Sequence, residues 1–307
     1  MDDLDRKIIS ELQIRGFQKA NVLAPILGVT ERTISRRISN LRASNLIKII
    51  AVPNPFLYGN KAWAKIGIKV EPRSLRNVTR ELVEHPAIYF VAYTLGVFDI
   101  IIAINYDSFD KLTTFINSEM INIPGLISSE TMMLMNPRKY YNFYWDAKAN
   151  NKEQPGEIDD IDRSILKLLS VDALIPPEMI KEELGIAEST IRRRIKRMSD
   201  IGAHKLEIVP NPQLLKNHVW ATLGITVNQT SPNEILDILI KNPAIYLASA
   251  STGRFNIIIS TRFASMDMLS DFLSSELPKI KGVNSIESFL HNRPLKYHNI
   301  DWSSIKT

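Results

Sequence analysis

The chain repeats itself. Asp5 matches Asp162, Gly28 matches Gly185, Gly96 matches Gly253 and Trp145 matches Trp302, each pair separated by the same 157 positions with no gap. Whole phrases recur in that frame, among them Pro53-Asn54-Pro55 with Pro210-Asn211-Pro212 and Pro86-Ala87-Ile88-Tyr89 with Pro243-Ala244-Ile245-Tyr246. A tandem duplication limits the fold to something that one copy can begin and the other complete. Ala147 to Asp160 holds the polar run Asn150-Asn151-Lys152-Glu153-Gln154-Pro155-Gly156, which buries nothing and reads as a linker.

Of the 307 residues 45% are hydrophobic, enough apolar surface to offset the entropy of ordering two or more domains, so disorder and fibrous structure are excluded. The absence of cysteine removes disulfides, thiolate zinc sites, iron–sulfur clusters and cysteine nucleophiles. The start Met1-Asp2-Asp3-Leu4-Asp5 has no apolar leader, and runs such as Ile100–Ile104 are too short to cross a bilayer. A cytoplasmic protein is expected.

Each copy divides in two. Apolar residues from Leu4 to Ile47 recur at three and four positions and predict three short helices, followed by a wing or hinge strand, Leu46 to Val52. The remainder predicts strand Trp63–Val70, helix Ser74–Glu84, strands Ile88–Thr94 and Asp99–Tyr106, helix Phe109–Met120 and strand Leu126–Met135, with the same order in copy two. That is the βαββαβ, ferredoxin-like pattern, in which the helices cover one sheet face and the other needs a partner. Here the second copy can supply it, giving a covalent pseudo-dimer. The α+β chain is therefore divided as a winged helix-turn-helix domain (1–52), a ferredoxin-like sensing domain (62–146), a linker (147–157), a second helix-turn-helix domain (158–209) and a second sensing domain (219–303).

The strongest local signal is Leu27-Gly28-Val29-Thr30-Glu31-Arg32-Thr33-Ile34-Ser35-Arg36-Arg37-Ile38, echoed by Leu184-Gly185-Ile186-Ala187-Glu188-Ser189-Thr190-Ile191-Arg192-Arg193-Arg194-Ile195. Gly28 and Gly185 fit a helix C-terminus, Thr30 fits an N-cap, and Ile34, Ile38 and Leu41 face inward, which turns the arginines out. Residues 30–48 carry five cations against Glu31, and residues 187–205 carry six against Glu188 and Asp200, so both windows are +4. An arginine-bearing second helix after a glycine turn suits the major groove of double-stranded DNA. The predicted contacts are Thr30, Arg32, Thr33, Ser35, Arg36 and Arg37, and Ser189, Thr190, Arg192, Arg193, Arg194 and Arg197. Because the two helices differ in sequence, the operator should be an imperfect palindrome with half-sites about one helical turn, or a multiple, apart.

These motifs, together with Leu4-Asp5-Arg6-Lys7-Ile8-Ile9, Gly96-Val97-Phe98-Asp99 and Ile123-Pro124-Gly125-Leu126, resemble those of the Lrp/AsnC family of transcription regulators over nearly all of each copy. The resemblance implies a winged helix-turn-helix joined to a ligand-sensing domain that dimerises through its sheet and assembles further, so a homo-oligomer of pseudo-dimeric chains is expected. It also implies a small effector, commonly an amino acid. By position, the effector residues would be Gly96, Asp99 and Thr131 in copy one, and Gly253, Asn256 and Ser288 in copy two. Asn256 cannot supply the carboxylate charge of Asp99, which would alter or silence one site.

An enzyme is not expected. His85, His204, His218, His291 and His298 show no metal-ligand spacing, no phosphate loop or nucleophile elbow is present, and neither cofactor nor metal is called for. His85 reads as a helix-ending residue, and His291 and His298 as structural. The aromatic tail Tyr140–Trp145 reads as packing against a neighbouring domain. Two alternatives stand beside the regulator: a tetrapyrrole enzyme of the kind of the sirohaem decarboxylases, which look similar in architecture, and a sensing or assembly protein without DNA binding.

Overall fold

In the computed structural model, which describes residues 1–54, 57, 61–140, 143–144, 158–211, 218–298 and 300–301, the repeat appears as two matching series of elements. Copy one runs α1 (Asp3–Arg15), α2 (Ala20–Leu27), α3 (Glu31–Ala43), β1 (Ile47–Pro53), β2 (Ala62–Val70), α4 (Leu75–Glu84), β3 (Ile88–Leu95), β4 (Ile100–Tyr106), α5 (Phe109–Thr114), β5 (Leu126–Tyr140) and β6 (Phe143–Tyr144). Copy two runs α6 (Asp160–Leu169), α7 (Pro177–Leu184), α8 (Glu188–Asp200), β7 (His204–Pro210), β8 (Val219–Val227), α9 (Pro232–Leu239), β9 (Ile245–Thr252), β10 (Ile257–Phe263), α10 (Met266–Asp271), β11 (Val283–Tyr297) and β12 (Ile300–Asp301). The expected linker, 147–157, lies outside the described residues. The chain forms two units, one from 1–58 with 146–215 and the other from 59–145 with 216–307.

The first unit holds both helical modules. Asp2 and Asp5 form a capping box at the start of α1, and Asp159 with Asp162 does the same for α6. Gly28 and Gly185 end α2 and α7 at φ 66° and 68°, the left-handed conformation expected of them. The strand after each recognition helix finds its partner in the other copy: β1 and β7 pair antiparallel without a break, from Ile47 opposite Pro210 to Pro53 opposite His204. Ile208 of β7 enters the core of the first module beside Ile8, Leu12, Leu23 and Ile34, while Ala51 of β1 enters the second beside Ile165, Ile180, Ile191 and Met198. Neither helical core is completed by its own copy.

The second unit is a barrel. Pairing runs β11–β3–β4–β2–β5–β9–β10–β8, and β8 returns to β11, which closes the sheet. Along β2 the residues Ala62, Ala64, Ile66 and Ile68 face a core shared with Val78 and Leu82 of α4 and with Leu112 of α5. The intervening Trp63, Lys65 and Gly67 face the barrel interior, following the two-residue period of a strand. Copy two matches this, with Ala221, Leu223 and Ile225 outward beneath α9 and α10. Closure uses strands longer than the sequence predicts. Beyond the predicted end at Met135 and its counterpart in copy two, Lys139 and Tyr140 pair with Ala248 and Leu247 of β9, and Lys296 and Tyr297 pair with Val91 and Phe90 of β3. Pro137 and Pro294 concealed this continuation, since proline ordinarily marks a strand end.

Matching aromatic clusters fill the interior. Tyr140 meets Trp63 edge-on at 4.9 Å and Tyr89 at 6.0 Å between ring centroids; Tyr297 meets Trp220 at 5.1 Å and Tyr246 at 6.1 Å. Tyr140 thus packs within the barrel, while Tyr141, Asn142 and Trp145 of the aromatic tail lie outside the described residues. Gly67 and Gly224 are required here, because a Cβ at either would stand 2.3 or 2.6 Å from the ring of Phe98 or Phe255. Lys139 donates to the carbonyls of Ile240 and Asn242, both at 3.0 Å, and Lys296 donates to the carbonyl of His85 at 2.8 Å. Each buried ammonium closes the end of the other copy's first sheet-covering helix.

Lys65 is 2% exposed, and burial lowers its pKa to about 7. The unfolded chain holds this proton up to the ordinary lysine range near 10.4, so stability should rise with pH between about 7 and about 10. Lys65→Met, similar in volume and uncharged, should stabilise the chain by a few kcal/mol at pH 7, taking about 1.4 kcal/mol per tenfold protonation shift. That gain should shrink as the pH approaches 10. Urea unfolding across this range checks it; a pH-independent difference would contradict it.

Candidate nucleic-acid interface and effector region

Each recognition helix presents an outer face to solvent. Thr30, Arg32, Ser35 and Arg36 are exposed in copy one, as are Ser189, Arg192 and Arg193 in copy two. Thr33 and Thr190 are half-buried. Thr30 caps α3 by accepting from the Thr33 backbone N–H at 3.2 Å, and the two hydroxyls lie 3.0 Å apart. This holds both threonines at the leading end of the helix. The exposed cations differ in place: copy one sets Arg32 in the first turn, where copy two has Ser189. Copy two sets Arg192 and Arg193 together with exposed Lys196, which is missing from the sequence-predicted contacts although it lies four positions from Arg192 on the same face. Arg192 also approaches Glu188 at 3.8 Å.

Three predicted contact residues are placed differently. Arg37 turns back to α1, where Nη1 donates to Asp2 at 2.7 Å and Asp5 at 2.9 Å. Arg194 does the same to Asp159 at 2.7 Å and Asp162 at 2.9 Å, and Arg197 pairs with Asp162. The outward reading of these arginines is therefore corrected: the capping carboxylates attract them inward, bracing the third helix of each module against its first. The acidic pairs Asp2/Asp5 and Asp159/Asp162 recur in the repeat frame and mark partners for an arginine, but Arg36 and Arg193 recur there as well as Arg37 and Arg194, so the sequence does not say which arginine takes them. Hydrogen bonding to Arg37 holds the Asp2 carboxyl below its usual range; the Asp162 backbone N–H and then Arg194 do this for Asp159. Asp162 has a fully buried side chain, whereas Asp5 retains 14% exposure.

In the sensing domains, Gly96 and Gly253 occupy exposed positive-φ turns at 119° and 108°. Asp99 Oδ2 accepts from the Val70 backbone N–H at 3.0 Å, and Oδ1 lies 3.4 Å from Lys69 Nζ. Asn256 Oδ1 accepts from the equivalent Val227 N–H at 2.9 Å. Both side chains thus tie the β3–β4 or β9–β10 turn to the end of a neighbouring strand. Where copy one pairs Asp99 with Lys69, copy two has Asn256 and Thr226 at the matching positions, so anion and cation differ between the copies together. That observation replaces the view of Asn256 as a simple loss of charge. Thr131 stands opposite Ile66 in the β5–β2 ladder, and Ser288 opposite Leu223 in β11–β8; neither hydrogen-bonds to these turns among the described residues. Ser288 instead borders an open cavity of about 380 Å³ with Leu273, Pro278, Val283, Asn284, Ser285 and Ile286.

Three of the five histidines lie at defined places in the sensing domains. His85 ends α4, where its Nδ1 accepts from the Ala87 N–H at 3.3 Å. His291 and His298 are buried, with pKa values well below the ordinary histidine range through desolvation. No group of three potential metal ligands occurs among the described residues.

The AsnC-type helix-turn-helix domain family matches residues 1–42 and 158–199, and the Lrp/AsnC ligand binding domain family matches 64–142 and 221–300. The chain belongs to the Lrp/AsnC family of transcription regulators. HTH-type transcriptional regulator FL11 from Pyrococcus furiosus is 32% identical over 136 residues, which are 44% of this chain and 89% of the relative. Its namesake from Pyrococcus abyssi is 33% identical over 140 residues, 45% of this chain and 92% of the relative. These Lrp/AsnC relatives thus correspond in length to a single copy. The siroheme decarboxylase NirDL shares the fold along nearly the whole chain, with a TM-score of 0.58 and 13% identity over 96% of this chain and 93% of that one. No helix among the described residues is long and apolar enough to cross a membrane.

Replacing Arg194 and Arg197 together by Ala strands the buried Asp162 carboxylate and should destabilise the chain by about 3–5 kcal/mol, well beyond Arg37→Ala, whose partners reach water. Chemical unfolding of both variants decides; equal losses would contradict the bracing role. Asp99→Asn should leave thermal stability nearly unchanged, because Asn256 makes the same bond with an amide, whereas Asp99→Ala should cost about 1 kcal/mol by removing the acceptor. Calorimetry on the two variants checks this, and equal losses would overturn it.

Proposed function

We propose that the chain reads duplex DNA through α3 and α8 and is modulated by a small molecule, such as an amino acid, at its sensing domains. The observation that carries this reading is the presence, in both modules, of exposed arginines on the outer face of a helix that follows a glycine-ended helix. Arg32 and Arg36 in copy one, and Arg192 and Arg193 in copy two with Lys196 beside them, are the outward cations of these faces. Guanidinium groups there suit phosphate oxygens and guanine edges, while Thr30, Thr33 and Ser35, and Ser189 and Thr190, supply short polar contacts at the leading ends. Arg37, Arg194 and Arg197 act indirectly, by fixing the angle of each recognition helix.

Since the leading-end residue is Arg32 in one helix and Ser189 in the other, the two half-sites of the operator differ. The resemblance supports a non-enzymatic regulator working in the cytoplasm, and the two FL11 relatives are named as HTH-type transcriptional regulators. Gly96, Asp99 and Thr131, with Gly253, Asn256 and Ser288, mark the effector region. The joint difference between the copies at Lys69 and Asp99 supports different ligand preferences at the two sites.

Electrophoretic titration of a bound duplex at several salt concentrations tests the reading. Arg36→Ala and Arg193→Ala should each weaken binding and lower the salt slope by about 0.9 for every phosphate that is no longer neutralised. Arg37→Ala, compared under conditions where it is folded, should keep the slope. Unchanged affinity and slope in both outer-face variants would refute the proposal.

A further inference from the structure

The barrel encloses one contact that its own approximate symmetry makes unusual. Lys65 Nζ donates to Thr222 Oγ1 at 3.0 Å, and these residues are 157 positions apart, the repeat offset itself. A residue touching its own counterpart lies on the approximate two-fold axis of the pseudo-dimer. Both are buried, Lys65 at 2% and Thr222 at 0% exposure, and Thr222 Oγ1 also lies 3.0 Å from His291 Nε2. The Lys65 ammonium stands 4.9 Å from the centre of the Phe90 ring.

The two halves of the interior have different chemistry. Copy two contributes Thr222, Ser249, Ser260 and His291, all buried, where copy one has Lys65, Ala92, Ala103 and Leu134 at the matching positions. The one titratable donor that copy one adds at the axis is thus met by an oxygen that copy two supplies. If two copy-one sheets were paired, two lysine side chains would meet at the axis, with alanine and leucine where copy two has serine and histidine, and neither would face the threonine hydroxyl that Lys65 meets now. A buried ammonium without a partner is strongly unfavourable, and a second one beside it adds like-charge repulsion.

We infer that the copy-one sensing sheet is built to pair with a copy-two sheet and not with another copy-one sheet, and that Lys65 opposite Thr222 on the axis enforces this choice. The partner that fits is the copy-two sheet of the same chain, which carries a hydroxyl at the axis. The aromatic clusters and the Lys139 and Lys296 bonds are alike in both copies and so do not discriminate. A single polar mismatch at a symmetry axis sets pairing, much as one buried polar residue sets register in a coiled coil.

The test uses the full chain, in four forms: Thr222→Lys, which recreates the lysine pair; Thr222→Met, which adds similar bulk without charge; Lys65→Thr; and the exchange Lys65→Thr with Thr222→Lys. Urea midpoints are measured at pH 7 and pH 9.5, with mass by light scattering. The titratable groups near the axis are His291 on β11, Tyr89 on β3, Tyr140 on β5, Tyr246 on β9 and Tyr297 on β11. The parent and the Thr222→Met form are followed at both pH values so that their contribution is subtracted. The inference predicts that Thr222→Lys lowers the midpoint further than Thr222→Met at pH 7, that part of this gap closes at pH 9.5, and that the exchange recovers most of it. Lys65→Thr should match or exceed the parent. If Thr222→Lys yields no folded protein, recovery of folded, monodisperse chain in the exchange form is the readout. A Thr222→Lys form no worse than Thr222→Met, or an exchange form no better than Thr222→Lys, overturns the inference.

Discussion

A four-stranded sheet with helices on one side still has a second apolar face, and the structure of the sensing unit follows from covering it. Trp63, Phe98 and Tyr140 of one copy, and Trp220, Phe255, Phe289 and Tyr297 of the other, are all at or below 6% exposure because the two sheets close on each other. Burying a side chain of that size is worth roughly 2 to 3 kcal/mol, so neither sheet is stable with this face open to water. The glycines beneath Phe98 and Phe255, the long closing strands and the lysines that seal the facing helices all serve the same closure.

The helical unit uses the same logic with different parts. Ile208 and Ala51 cross into each other's cores on the β1–β7 ribbon, so each helical module is completed by the opposite copy. Inside each module the capping carboxylates that start the first helix also hold an arginine of the third. One acidic pair thereby sets both where the first helix begins and how the recognition helix leans on it. The outer-face arginines remain directed to solvent because other arginines have taken the inward role.

Much of this was readable from the residues. Helical spacing located the helices at Glu31–Ala43 and Glu188–Asp200, and the repeat offset carried the elements read in copy one over to copy two. The failures share a cause, namely long-range contact. Nothing local distinguishes Arg36 from Arg37, since the difference lies in which one faces Asp2 and Asp5 more than thirty residues away. The ends of β5 and β11 were hidden because their partners are strands of the other copy. The tie from Asp99 to the Val70 N–H, and its equivalent from Asn256 to Val227, likewise joins a turn to a strand some thirty residues away.

The fused chain brings two unlike recognition helices together as one pair, and this is the claim on which its function as a regulator turns. Selection of bound duplexes from a random-sequence pool, followed by sequencing, tests it most directly. The account predicts enriched duplexes with two related but unequal half-sites, the difference between them diminishing when Arg32 is replaced by Ser to match Ser189. Enrichment of perfect palindromes by the parent chain, or no enrichment above the unselected pool, would contradict it.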